Sequence, residues 1–332
     1  MRALIVGWGS IGRRHAECLR TIAPDCEIVV WRQQAADTAI SRAAVDIADR
    51  VVFSAGDAVA SIPDFAVIAN PAPLHVSTAC TLLQHGIPLL IEKPLASDPR
   101  DVAALRDMLQ HAKAPLMVGY VLRFHPANIG IKSILEDGAI GRPLHARLLV
   151  GQHLADWRIS GDWKTGVSAR RETGGGALLE LSHEIDLAMW FFGMPTGVTA
   201  RIAPTSLPEI EVEDNADLLL DFPSGLIVNI HLDMVSRPAR RAIEIMGTDG
   251  AVTVDLVSGT SALWQNALGE VNTSVFTPPS ERNHIYKQQL QHFLDCLDSG
   301  SPPSIDLDAG AAVLAAVDAA RRSAADGRRM LV

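Results

Sequence analysis

Two side chains in this chain of 332 residues have the type and setting for proton chemistry, Lys93 and His183. Lys93 closes an apolar run in IPLLIEKPLASD (87–98). Ligands of open α/β sheets gather at the carboxyl ends of strands, so an ammonium there suits a substrate oxygen that gains negative charge as its hydroxyl is deprotonated. His183 lies in GGGALLELSHEIDLAMWFFG (174–193), with Glu180 and Asp186 within one helical turn of it. A carboxylate neighbour orients an imidazole and favours its protonated form. At about 100° per residue, Leu178, Leu181, Ile185, Met189 and Phe192 share one stripe, while His183, Asp186 and Trp190 fall opposite, flanked by Glu180, Glu184 and Phe191. Both faces are therefore expected to meet something. Taken alone, the lysine also reads as a solvated loop residue and the histidine as a packed one.

A third feature concerns phosphate. Gly7, Gly9 and Gly12, with Ser10 and Ile11 among them, stand between an apolar strand and a helix-like segment. In such a turn the first glycine permits the tight bend, the second lets backbone approach a pyrophosphate, and the third lets helix and sheet pack closely. The helix N-terminus adds free N–H groups and a positive dipole end. The rival reading is a bare turn. At the end of the second strand, in IVVWRQQ (28–34), no carboxylate stands at Trp31, Arg32, Gln33 or Gln34 to bind a ribose 2′-hydroxyl. Arg32 suits a 2′-phosphate instead, so NADP is the expected cofactor ahead of NAD, against a plain surface arginine.

The elements that must hold these residues are legible in the pattern. Strands are expected at Ala3–Val6, Glu27–Trp31, Arg50–Phe53, Phe65–Ala69, Pro88–Ile91 and Leu116–Val118, with helices near 11–22, 35–47, 74–85 and 98–112. That alternation predicts a doubly wound parallel sheet, an α/β Rossmann domain over 1–121. From 122 to 305 the pattern changes to a helix at 126–137, an extended run at 143–153, an irregular polar stretch, and a helix from Ala177 to before Gly193. Successive strands then run from Gly197 to Phe276, with turns at DFPSG (221–225) and GTDG (247–250). This second domain reads as α+β with a mostly antiparallel sheet. Helices at 283–299 and 307–325 close the chain.

Composition excludes some classes. A net charge of −9 leaves no uniformly basic footprint for nucleic acid. Cys18, Cys26, Cys80 and Cys296 have neither metal-site nor CxxC spacing, which suits a reduced cytoplasmic protein without a metal centre. No run approaches the roughly 20 apolar residues of a membrane span, and only four apolar residues separate Arg2 from Gly7, too few for a signal peptide.

Taken together, the strand–GWGSIG–helix start, NPAPLH (70–75), EKP (92–94), GYVLRFHP (119–126), EDGAIGRPLHARL (136–148), the glycine–histidine segment and YKQQLQHFLDCLDSGSPP (286–303) resemble the Gfo/Idh/MocA family of glucose–fructose oxidoreductases and inositol dehydrogenases. The resemblance covers essentially the whole chain. It implies hydride transfer between NAD(P) and a sugar, polyol or related carbonyl compound, with His183 as general acid/base and Lys93 assisting. It sets Asn70, Pro71, His75, Glu92 and Lys93 against the cofactor, and Asp186 against the substrate. It also implies that the helix at 306–325 returns to the first domain, and that the open face of the second sheet makes a homodimer or homotetramer. One departure stands out: the aspartate many members carry four residues before the histidine is Leu179 here, and Glu180 is the nearest carboxylate. Tyr120, Arg123 and His125 are candidates to line a substrate cleft, and Trp157, Arg158, Trp163, Arg170 and Arg171 of the irregular stretch suit a sugar carrying a carboxylate or phosphate, or equally a surface loop with packed tryptophans; Tyr286 suits the nicotinamide pocket or core packing. His125 equally suits a turn cap. Two rival functions keep the fold: an NAD-dependent glycosidase working by transient oxidation, and a non-enzymatic dinucleotide-responsive regulator.

Overall fold

The computed structural model describes residues 1–32, 47–157, 162–204, 207, 209–266, 270–279 and 281–332. Gln33, Gln34, nearly all of the helix expected at 35–47, and Arg158 lie outside the described residues. The chain falls into two compact units, Met1–Val121 with Glu281–Ala311, and Leu122–Ser280 with Ala312–Val332.

The first unit is a six-stranded parallel sheet in the order β3-β2-β1-β4-β5-β6. Its strands are β1 (Arg2–Val6), β2 (Glu27–Trp31), β3 (Arg50–Val52), β4 (Phe65–Ile68), β5 (Leu89–Glu92) and β6 (Leu116–Gly119). They read as unbroken Val, Ile, Leu and Ala runs because helices cover both faces of such a sheet. Ala3, Leu4, Ile5, Ala66, Val67, Leu90 and Ile91 are fully buried. The strand order reverses between β1 and β4, and the crevice at their carboxyl ends is where a doubly wound sheet binds ligands. The short 50–62 connection holds a helix that the periodicity does not reveal, Ala55–Ala60, capped by the Ser54 hydroxyl accepting from the Asp57 N–H. The helix His284–Ser299 packs on the first helix, Ser10–Ile22, with the Phe293 ring edge-on to Phe65 at 5.8 Å. The sequence reading carries 281–305 with the second domain; in the structure this segment belongs to the first unit. The last helix, Leu307–Asp326, groups with the first unit only through Ala311.

The second unit is an eight-stranded sheet in the order β14-β13-β12-β11-β7-β10-β9-β8. It comprises β7 (Pro143–Gly151), β8 (Gly197–Ala203), β9 (Asn215–Asp221), β10 (Ile227–Asp233), β11 (Arg240–Gly247), β12 (Gly250–Asp255), β13 (Thr260–Gln265) and β14 (Glu270–Thr273). Every pairing is antiparallel except β7 with β10. Alternation sets one face inward, with Ala146, Leu148, Leu218, Val228, Ile230, Ile243, Ile245 and Val252 buried. Against β7, β9 and β10 lie the helical segments that carry the candidate acid–base group. The sequence predicts one helix there; the structure breaks it at Leu181–Ser182 into Ala177–Glu180 and His183–Phe192. His183 is therefore the first residue of a helix rather than a mid-helix residue, and Glu180 belongs to the preceding turn. The expected covering of both helix faces holds, since Leu178 and Ile185 on one side and Glu184 and Asp186 on the other are all buried.

Candidate active site

In the first unit the glycine turn is built around close backbone approaches. Gly7 has φ +90°, and a side chain there would stand 2.7 Å from the Asn70 backbone nitrogen. A Cβ on Gly12 would lie 2.2 Å from the Gly7 carbonyl oxygen. Gly9 is different: its Cβ position has no atom within 4 Å. It is the N-cap of the Ser10–Ile22 helix, makes no side-chain cap, and no acidic residue occupies the first turn. The first intrahelical bond runs from the Arg13 N–H to the Gly9 carbonyl. The N–H groups of Ser10, Ile11 and Gly12 precede it and have no intrahelical acceptor. This is an open concavity of N–H groups at a positive helix end, the chemistry a pyrophosphate needs. Beside it, the buried Trp8 Nε1 and Asn70 Oδ1 have no hydrogen-bond partner among the described residues. The chain thus fits a dinucleotide whose phosphates the glycine turn would hold. Trp31 and Arg32, at the end of β2, are half-buried.

Around Lys93 the structure adds partners that no local pattern shows. Glu92, the last residue of β5, is buried, and its Oε1 lies 2.6 Å from Nε2 of His15, a fully buried residue of the first helix. The other carboxylate oxygen accepts from the Lys93 backbone N–H at 3.3 Å. The His15 ring stands edge-on to Tyr286 at 5.8 Å, and the Arg14 guanidinium lies over the Tyr286 ring. Tyr286 is thereby placed in packing of the first unit. His75, expected against the cofactor, is 2% exposed, with Nε2 2.8 Å from the Asn70 carbonyl and Nδ1 2.9 Å from the Pro94 carbonyl. Burial pushes its pKa down, against the two carbonyls, and its role is to tie the Asn70–Pro71 turn to the Lys93–Pro94 turn. Tyr120, expected in a cleft wall, is fully buried.

In the second unit the head of the His183–Phe192 helix is held by two arginine forks. Arg123, in the turn Val121–Phe124, donates to both oxygens of Asp186, from Nε to Oδ2 at 2.9 Å and from Nη2 to Oδ1 at 2.6 Å. Asp186 has no exposed surface. Burial pushes its carboxyl above the usual range while the guanidinium opposes that rise. Arg241, on β11, donates from Nε to Glu184 Oε1 at 2.7 Å and from Nη2 to Oε2 at 3.2 Å. Asp186, expected against the substrate, and Arg123, expected as an anion receptor, are thus paired with each other. The fork is bidentate and engages Nε and Nη2 of the guanidinium, with Nη1 outside it. His125 caps the helix Pro126–Glu136, its Nδ1 accepting from the Ala127 N–H.

The irregular stretch is ordered by short turns and by its glycines. Gly176 has φ +108°, and a Cβ there would press on the Glu213 carboxylate, which accepts from the Leu178 N–H. Trp157 donates its indole N–H to the Gln152 carbonyl, Trp163 packs edge-on to His153, and the half-buried Arg170 pairs with Glu172. His15, Arg241 and the Glu184 partnership are what sequence reasoning missed. The only signal for Arg241 was a cation at an inward position of a strand whose neighbours Ile243 and Ile245 are apolar.

With that geometry in view, comparison with known proteins is decisive. Residues 1–120 match the model of an oxidoreductase family with an NAD-binding Rossmann fold, and residues 130–253 match the GFO/IDH/MocA C-terminal domain. The chain belongs to the GFO/IDH/MocA oxidoreductase family. Among its relatives, the UDP-N-acetylglucosamine 3-dehydrogenase of Acidithiobacillus ferrooxidans is 26% identical over 326 residues, 95% of each chain. The D-apiose dehydrogenase of Rhizobium rhizogenes is 26% identical over 280 residues, 80% of this chain and 78% of that one. Of solved structures, GenD2 from gentamicin A biosynthesis, in complex with NAD, superposes with a TM-score of 0.83 at 26% identity, covering 100% of this chain and 96% of that one. The protein is therefore a family oxidoreductase with a nicotinamide-dinucleotide-binding first unit. Among the described residues no helix is long and apolar enough to cross a membrane.

Proposed function

We propose that this oxidoreductase transfers a hydride between a nicotinamide and a CH–OH group of a sugar, polyol, sugar acid or nucleotide-sugar-like substrate. When bound, the nicotinamide ring takes up the hydride in the oxidative direction and gives it back in the reductive one. In the oxidative direction the His183 imidazole removes the hydroxyl proton, and the Lys93 ammonium stabilises the oxygen as negative charge develops. In the other direction His183 returns that proton to the carbonyl oxygen. Asp186 acts by holding Arg123 and the helix head. Glu180, Trp157, Trp163 and Arg170 are proposed to border the substrate. What carries the reading is His183 at the head of a helix clamped from two sides, since a general base must be held in a fixed direction to be effective. Relatives named for apiose and for a nucleotide sugar support the substrate class.

The deciding experiment is turnover of a panel of such substrates by the wild type and by His183→Ala, with dinucleotide affinity measured alongside. Turnover should collapse while affinity survives, and an unchanged kcat refutes the role of His183. Stoichiometric formation of reduced nicotinamide separates this chemistry from glycosidic cleavage by transient oxidation.

Two finer points belong to the same proposal. Arg32, with no carboxylate at the end of β2, favours NADP, and a much higher kcat/KM with NADH would reject that preference. The outer face of the eight-stranded sheet is proposed as the surface of a cytoplasmic homodimer or homotetramer. Ile227, His145, Met246, Ala251 and Trp264 are register neighbours across five strands, with Ile227 47%, Met246 40% and Trp264 39% exposed. The exposed apolar side chains of this row, which also holds His145, favour association. Light scattering on the purified protein tests it, and a monomer at micromolar concentration rejects it.

A further inference from the structure

We infer that Glu184 and Arg241 form a positioning pair for His183, setting both the direction of its imidazole and the charge it feels; the inference rests on the proposed role of His183. Arg241 shares the inner face of β11 with Ile243 and Ile245, the former 2% exposed and the latter fully buried. A cation on so apolar a face needs a partner. Glu184, 2% exposed, supplies it through two bonds, Nε to Oε1 at 2.7 Å and Nη2 to Oε2 at 3.2 Å.

The pair does something an ordinary helix start cannot. The break at Leu181–Ser182 removes the continuous helix that would otherwise orient His183. The Ser182 side chain does not cap this helix, its hydroxyl donating instead to the Leu179 carbonyl at 2.9 Å, and the Glu184 N–H reaches the Leu181 carbonyl only at 3.5 Å. At about 100° per residue, Glu184 and Asp186 lie nearly opposite one another with His183 between them. The Arg241 and Arg123 forks therefore grip the helix head from two sides, one from β11 and one from the turn Val121–Phe124. Among the described residues of this unit, the charged groups on the segments that meet at that head include Glu180, Glu213, which accepts from the Leu178 N–H at 3.3 Å, Glu184 with Arg241, and Asp186 with Arg123. The inner faces of β7 and β10 beneath offer Leu148, Val150, Ile230 and Leu232, none of which titrates.

The geometry makes a sign prediction that mere stabilisation does not. Arg241→Met leaves the Glu184 charge uncompensated and should raise the pKa of His183; Glu184→Gln leaves the Arg241 charge and should lower it. Each shift should be about half a pH unit or more. The double variant should return close to wild type. The measurement is an NMR titration of the labelled imidazoles, with His183 assigned by its loss in His183→Gln, and the pH profile of kcat beside it. Shifts in one common direction, or none, in variants that melt cooperatively overturn the inference. Should a single variant fail to fold, Arg241→Lys keeps the charge and loses the fork: kcat should fall about tenfold with substrate KM, dinucleotide affinity and the His183 titration unchanged, and a wild-type kcat overturns the inference. If His183→Ala keeps full turnover, the proposed reaction fails instead, and the titration still decides whether the pair exists.

Discussion

Replacing Gly9 with alanine separates the nucleotide-binding role of the glycine turn from its folding role. Gly9 has φ −77°, which alanine adopts freely, and its Cβ position is open to 4 Å. Two small folding terms oppose one another. Alanine is a poorer N-cap than glycine, and it stabilises by about 0.4–1 kcal/mol through a less disordered unfolded chain. The melting temperature should therefore stay within a few degrees. Dinucleotide binding should lose more, because with the pyrophosphate proposed over this turn the new methyl would stand where a phosphate oxygen approaches the first-turn N–H groups. Loss of one hydrogen bond to a charged group is about 1.5–3 kcal/mol, or a 10- to 150-fold rise in Kd. Gly12→Ala is the contrasting variant. Its Cβ meets a backbone oxygen at 2.2 Å, so the turn itself must shift and stability should fall first. Titration of NADH fluorescence together with thermal melts reads both effects. Wild-type affinity in a fully folded Gly9→Ala protein would refute the placement of the pyrophosphate over this helix.

Other outcomes follow from particular contacts. Arg123→Met strands the fully buried Asp186 carboxylate and should cost about 3–5 kcal/mol in chemical denaturation; a loss under 1 kcal/mol would show that the fork is not formed. Burial pushes the Asp233 carboxyl up, but bonds from His231, from the Ser236 hydroxyl and from the Val235 and Ser236 N–H groups hold it down at about 2. Its stabilisation, about 1–2 kcal/mol, is present above the ordinary carboxylate range near pH 4 and is lost as pH falls toward 2. His231 has the opposite sign. Its bonds to Asp233 and Asp217 raise its pKa, so its contribution is complete below about pH 6.5 and fades as pH rises past the raised value. Melting curves of His231→Gln should lose that upper fade, and a curve parallel to wild type up to pH 9 would contradict the assignment.

Local pattern made the first sheet readable. Both of its faces are covered, so each strand is a continuous apolar run, and the spacing of Gly7, Gly9 and Gly12 records one turn whose geometry tolerates no other residue at two of the three places. The same holds for the turns at Gly225 and at 247–250, and for Lys93 at the end of β5. Periodicity failed where a helix was interrupted without a marker. Leu181 and Ser182 are ordinary helix residues, and the close approaches just upstream, Gly175 to Ser168 and Gly176 to Glu213, leave no mark in the periodicity.

By itself the sequence determined the two architectures, the phosphate-binding turn and the residue types able to move a proton, because each is written in contiguous residues with a short period. Only the tertiary structure decided who partners whom. Glu92 meets His15 across 77 positions, Asp186 meets Arg123 across 63, and Glu184 meets Arg241 across 57. It also decided that the segment from Glu281 returns to the first unit. A buried charge must find its counter-charge wherever the fold brings one near, and that choice depends on distance in space, which a pattern along the chain does not carry.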